Sequence, residues 1–229
     1  MRTIRFERGF TDAAPGSVLA SFGNTRVLCT AVWQDSVPPW MQNKGRGWLT
    51  AEYAMLPAST GSRKARDRAG RVDGRSVEIQ RLIGRSLRSV VDFQKMTERT
   101  IWVDCDVIQA DGGTRTVSIS GAWVALYDCL KAMDARRILR AWPLRTQLGA
   151  VSVGVVKGEP VCDLDYPEDS AADVDMNLVM TGDGDFVEIQ GSAEGATFGR
   201  GKLDAMLAMG EAGIEQIFAA QRAAVGAEG

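Results

Sequence analysis

Residues 104–116, Asp-Cys-Asp-Val-Ile-Gln-Ala-Asp-Gly-Gly-Thr-Arg-Thr, constrain the fold more than any other stretch of the chain. Trp102, Val103, Val107 and Ile108 mark a buried strand, and Asp111-Gly112-Gly113 breaks it with residues that tolerate positive φ. Beyond the break, Ser118, Ile119, Ala122, Trp123, Leu126 and Leu130 recur at helical spacing. Gly-Gly-Thr-Arg therefore stands at a helix N-terminus, where unpaired backbone N–H groups and the helix dipole favour an anion. Thr114 adds a hydroxyl, and Arg115 adds a planar fork that matches phosphate oxygens. The same letters also fit a plainer description, a strand-to-helix turn with a capping threonine.

At 229 residues the chain can form one large domain, or two half-size repeats that share a core. With 45% hydrophobic and 24% charged residues, disordered and fibrous classes are excluded. No run approaches membrane-spanning length, and the alternating segment Met1–Arg8 lacks an apolar signal core, so a cytoplasmic location is expected. Cys29, Cys105, Cys129 and Cys162 are isolated in apolar stretches and read as reduced core residues. The chain has no histidine. That removes histidine triads and histidine metal sites, leaving carboxylates, Arg, Lys and hydroxyls for catalysis.

The net charge of −2 conceals an asymmetry. Residues 63–88 are arginine-rich, whereas residues 163–188 carry many carboxylates and no Lys or Arg. One region suits a polyanion and the other a cation. In element order, residues 3–10, 17–22, 26–33 and 47–56 read as strands, the middle pair forming a hairpin around Gly23-Asn24-Thr25. The basic segment 58–74 has no apolar period and reads as an exposed loop. From Arg75, Val77, Ile79, Leu82, Ile83, Leu87, Val90 and Val91 trace one face of a helix, with Arg81, Arg85 and Arg88 on another. Those arginines are either a solvated surface or a contact to RNA or a subunit. Residues 148–156 and 160–166 form a second hairpin, 174–181 pairs with 185–190, and a helix closes the chain over 200–225. Gly210 and Gly213 are expected to loosen that helix. The second half repeats the element order of the first. The expectation is an α+β fold with two β-rich halves, about 1–140 and 141–229, inside a single domain spanning 1–229.

Glu168-Asp169-Ser170-Ala171-Ala172-Asp173-Val174-Asp175 lies between two of these strands. A tight bend or one helical turn would bring Asp169 and Asp175 to one point, and two oxygen ligands plus substrate phosphates suit magnesium. An acidic surface loop, or Asp169 acting as an N-cap, explains the same letters. An anion turn, an arginine-rich loop and a carboxylate pair together suggest phosphoryl transfer on a polyanion.

Several blocks resemble the ribonuclease PH family of phosphate-dependent 3′-to-5′ exoribonucleases: Val27-Leu-Cys-Thr-Ala31, Gly47-Trp-Leu-Thr-Ala-Glu-Tyr-Ala-Met-Leu-Pro57, Glu78-Ile-Gln-Arg-Leu-Ile83, Asp104–Thr116, Val161-Cys-Asp-Leu-Asp165 and Glu168-Asp-Ser-Ala-Ala172. The resemblance spans nearly the whole chain. It implies a fold of two similar β-rich halves with packed helices, as in ribosomal protein S5 domain 2, assembled as a homohexamer, a trimer of dimers. It also implies transfer of the 3′-terminal nucleotide of RNA, notably of tRNA precursors, onto inorganic phosphate with release of a nucleoside diphosphate. Carried over by position, phosphate binding falls on Arg75, Gly113, Thr114 and Arg115, and catalysis with Mg2+ binding on Asp169 and Asp175. Arg63, Arg66, Arg68 and Arg71 would contact RNA. Where the family often has Gly-Gly-Arg, this chain has Asp73-Gly74-Arg75, and the carboxylate would repel phosphate unless it points away. A non-catalytic RNA-binding subunit of an exosome-like ring and a hydrolytic magnesium nuclease are the competing functions.

Overall fold

The computed structural model describes residues 1–66, 73–193 and 197–226. Its first sheet contains β1 (Ile4–Arg8), β2 (Gly16–Phe22), β3 (Thr25–Gln34), β4 (Trp48–Met55) and β5 (Thr100–Gln109), in the order β1-β2-β3-β5-β4. All neighbours are antiparallel except β4 and β5, which run parallel. The crossover between them is α1 (Gly74–Ser89), as parallel neighbours require. The second sheet has the order β7-β6-β8-β9 and is antiparallel throughout, from β6 (Leu148–Val156), β7 (Glu159–Cys162), β8 (Val174–Thr181) and β9 (Phe186–Ala193).

Between the sheets lies α2 (Thr114–Ala135), which is buried on every side from Thr116 to Leu126 and touches β2, β3, β5 and β6. It runs from the break that follows β5, so the strand that ends at Gln109 delivers the helix into the middle of the molecule. Along β5, Ile101, Val103, Cys105 and Val107 face this core, while Asp104 and Asp106 face away. β6 is buried on both faces because α2 covers one side and α4 (Arg200–Val225) the other. Gln221 of α4 is fully buried and donates to the carbonyls of Ser120 and Leu148, tying both helices to β6.

Four expectations need correction. First, α1 ends at Ser89: Val90 is its C-cap, and Val91 forms an isolated bridge with Leu144. Second, Arg88 leaves the surface set, because its guanidinium packs over Trp48, 4.9 Å from the ring centroid, and donates to Leu49 O. Arg81 and Arg85 stay exposed, and Arg85 pairs with Glu188. Third, the strand expected at 160–166 stops at Cys162, since Asp163 adopts φ 62° and turns the chain. Fourth, α4 is continuous through Gly210 and Gly213. A Cβ at Gly210 would lie 2.2 Å from Leu178 Cδ1, and one at Gly213 would lie 2.6 Å from Cys162 Sγ. These glycines let the helix approach the second sheet closely.

Candidate active site

Two helices begin at the seam between the halves. Gly113 caps α2 in the left-handed region (φ 63°), a conformation a residue with a Cβ rarely adopts. Thr114 and Arg115 occupy the first turn, ahead of any intrahelical acceptor, so their N–H groups are free to face a ligand. α1 starts beside it with Asp73 as N-cap and Arg75 in its first turn. The Asp73 carboxylate is engaged: it accepts from Arg75 N and Ser76 Oγ and pairs with Lys64, which holds its carboxyl below the usual aspartate range. The acid that stands in place of the family's glycine is thus used within its own half.

The second half supplies the facing wall. α3 (Tyr166–Ala171) is one helical turn, started by Asp165 in a reciprocal capping box with Glu168, so Asp165 and not Asp169 is the cap. It presents Asp169, while the start of β8 presents Asp175. Ser152 of β6 and Asn177 of β8 are cross-strand partners, and Gln190 of β9 is the next residue in the same row. Gln190 Oε1 accepts from Arg115 Nη1 at 3.1 Å, and Glu78 Oε1 of α1 accepts from the same nitrogen at 2.9 Å. Arg115 is therefore oriented from both halves through one nitrogen.

Arg75, Gly113, Thr114 and Arg115 from one side and Ser152, Asp169, Asp175 and Asn177 from the other enclose a polar pocket of about 60 Å³. That is room for a small anion and too little for a nucleotide, whose sites begin at roughly 300 Å³. Burial raises the Asp175 carboxyl, and the negative charge of Asp169 raises it further, while Arg115 and Arg75 pull it down. Two arginines and two aspartates thus share the pocket, with the carboxylates close enough to repel. Among the described residues no group of three or more His, Cys, Asp or Glu could hold a metal. In this pocket the described residues offer a cation two carboxylates, a donor set that suits an ion completed by water and substrate phosphate.

Arg63 and Arg66 are exposed outside regular structure and do not line this pocket; Arg68 and Arg71 lie outside the described residues. The buried Tyr53 was not foreseen: its hydroxyl is 2.9 Å from Thr114 Oγ1. Burial raises its phenol, which keeps the O–H available to orient the threonine. Nor was Arg2, whose Nη1 donates to Asp111 O at 2.5 Å and Nη2 to Asp163 Oδ1 at 2.6 Å, pinning the glycine turn to the second half. Behind the same turn, a Cβ on Gly112 would lie 2.4 Å from Leu164 O, so turn and α3 are packed backbone to backbone. Asn177 and Ser152 had a signal, a polar residue two positions after Asp175 and a lone serine in the apolar run of β6. Arg2 and Asp163, 161 positions apart, had none.

Residues 1–131 match the model described as 3′ exoribonuclease family, domain 1, and residues 146–213 that of domain 2. The chain is 52% identical to Ribonuclease PH of Syntrophomonas wolfei subsp. wolfei, over 99% of this chain and 95% of that protein. It is 55% identical to Ribonuclease PH of Brucella melitensis biotype 2, over 98% and 95%. Its fold is similar to rice (Oryza sativa) Rrp46, with TM-score 0.77 and 18% identity over 97% of this chain and 94% of that one. A chain of the Archaeoglobus fulgidus exosome with RNA bound to the active site gives 0.75 and 19% over 94% and 87%. With both family models matched in order and full-length relatives at this identity, the chain belongs to the ribonuclease PH family of 3′ exoribonucleases.

Proposed function

We infer that this chain is a phosphorolytic 3′-to-5′ exoribonuclease that removes the terminal nucleotide of RNA as a nucleoside diphosphate. The observation that carries this reading is the pocket of about 60 Å³ in which Arg75, the Gly113–Arg115 turn, Asp169 and Asp175 meet. A hydrolytic nuclease has no use for a second anion site beside its carboxylates. A non-catalytic ring subunit would leave the whole constellation without a task.

In this reading inorganic phosphate sits on the N–H groups at the start of α2, with Thr114 Oγ1 and the guanidinium groups of Arg75 and Arg115 around it. Held there, one of its oxygens attacks the phosphorus of the last phosphodiester. The bond to the 3′ oxygen of the penultimate nucleotide breaks, and that oxygen takes a proton. Of the two carboxyls, Asp175 is the one whose burial favours the protonated form, which suits it to give that proton. Asp169 would hold Mg2+, joined by Asp175 once that carboxyl has given up its proton, and the ion when bound would supply neutralisation of the charge on the phosphoryl groups. Arg63, Arg66, Arg68 and Arg71 would follow the RNA backbone, with tRNA 3′ ends as the substrate. A homohexameric, trimer-of-dimers ring and a cytoplasmic location complete the proposal. The ring reading is supported by the likeness to exosome subunits, and no described helix is long and apolar enough to cross a membrane.

Arg115→Ala tests the site assignment. It should weaken phosphate-dependent release of nucleotides, with the KM for phosphate raised by on the order of 10-fold or more for a lost charge-assisted contact of about 1.5–3 kcal/mol. Binding of RNA in a filter or anisotropy assay should persist. Equal loss of RNA binding and of phosphate response would remove Arg115 from the phosphate site.

A further inference from the structure

Beside the anion pocket lies a larger chamber of about 500 Å³ that the attacking phosphate does not need. It shares Arg75, Gly113, Thr114 and Asp169 with the anion pocket. Away from those residues it is lined by Met55, Ala110 and Tyr166, together with Thr60 and the paired Lys64 and Asp73. The volume falls in the range of sites that hold a small organic molecule, roughly 300–1,000 Å³. Next to an almost wholly polar pocket, a chamber with an apolar lining fits a ligand that is anionic at one end and flat and apolar at the other.

Tyr166 is 65% exposed, whereas Tyr53 is 4% exposed. An exposed aromatic is ordinary on a mobile loop, but this one stands on a fixed base. Asp165 and Glu168 cap the helix reciprocally, Pro167 follows directly, and the Tyr166 N–H donates to Asp111 Oδ1 at 3.3 Å. The backbone that carries the ring is thereby attached to the glycine turn that builds the anion pocket. Tyr166 and Asp169 are also three residues apart on α3, which puts ring and carboxylate on one helix face. The ring is presented toward the reaction site at the cost of leaving it in water.

We propose that Tyr166 is the stacking platform for the base of the 3′-terminal nucleotide, and that the chamber between it, Met55 and Ala110 is the nucleoside site. This rests on the phosphorolytic reading, with the terminal phosphodiester at the shared residues and the base in the chamber. Stacking serves an enzyme that removes successive nucleotides, because every base offers a π face and the platform does not select among them. The nucleoside diphosphate that leaves carries the same base, so the same ring holds it before release.

The test is binding and turnover of an RNA with 2-aminopurine as its 3′-terminal base, using the full chain with magnesium. Stacking on Tyr166 should quench the fluorophore. Tyr166→Ala should abolish the quench and raise the KM for RNA by on the order of 5- to 150-fold, the factor to which about 1–3 kcal/mol per stacked base corresponds. The KM for phosphate should not follow it. Tyr166→Phe should restore the quench and most of the affinity, since the ring and not the hydroxyl does the stacking. An RNA ending in an abasic residue should bind the wild type as weakly as the intact RNA binds Tyr166→Ala, and the variant should not distinguish the two. Equal KM for wild type and Tyr166→Ala, Phe behaving as Ala, or the same abasic penalty in both proteins would overturn the proposal. The quench is read without turnover, so a protein that quenches but releases no nucleoside diphosphate would instead sink the phosphorolytic reading.

Discussion

Arg2→Ala should destabilise the protein by about 3 kcal/mol and weaken its hold on phosphate, although Arg2 lines neither chamber. The Asp163 side chain has 0% exposure and receives two groups from Arg2: the backbone N–H at 2.9 Å and Nη2 at 2.6 Å. Alanine keeps the first and removes the second together with the cation. A buried carboxylate deprived of its partner costs about 3–5 kcal/mol if it stays ionised. The surviving backbone hydrogen bond lowers that loss, which gives about 3 kcal/mol and a Tm lowered by roughly 6–12 °C for a chain of this size. Asp163→Asn added to Arg2→Ala should recover part of the loss, because it removes the stranded charge. The hydrogen bond to Asp111 O disappears as well, so the KM for phosphate should rise more than the KM for RNA. Urea unfolding at pH 7, with steady-state kinetics on the same proteins, measures each part. A loss below about 1 kcal/mol, or a second substitution that adds to the first, would refute the clamp.

Gly210→Ala separates packing from helix propensity. Alanine gains about 1 kcal/mol in a helix interior, yet its Cβ would sit 2.2 Å from Leu178 Cδ1, so chemical unfolding should show a net loss of about 1–3 kcal/mol. Asp104→Asn should raise Tm at neutral pH. Burial, Glu52 and Asp106 all raise the Asp104 carboxyl in the folded state, so its ionisation costs stability as pH rises through that value. Thermal melts between pH 7 and pH 3 check the sign: the gain should shrink as pH falls through the carboxylate range.

Local signals in the sequence carried most of the element order. Asp111-Gly112-Gly113 between an alternating run and a 3.6-residue period places β5 and α2 closely, because only glycine reaches φ 75° and 63° at low cost. What failed was non-local. Nothing in the letters says that β4 pairs β5 in parallel, since that depends on α1 crossing back over the sheet. Gly210 reads as a weak point from propensity and becomes a close-packing point only once Leu178 is in place. Val91 keeps helical spacing but pairs with Leu144, far along the chain. At the site, Arg75, Gly113, Thr114, Arg115, Asp169 and Asp175 were found because each has its own chemistry, while Ser152 and Asn177, which also line the pocket, were not. The residues that hold them, Arg2, Asp163, Tyr53 and Glu78, were not, because a partner far away in the sequence is visible only when the fold brings it close.

The central claim, that phosphate is the attacking group, is tested most directly by the chemical identity of the product. The purified full chain is incubated with a 3′-extended RNA and magnesium, with and without inorganic phosphate, and the released nucleotides are separated. Phosphorolysis predicts nucleoside diphosphates, formed at a rate that falls to nothing as phosphate is withdrawn. Nucleoside monophosphates, or release that does not depend on phosphate, would contradict it.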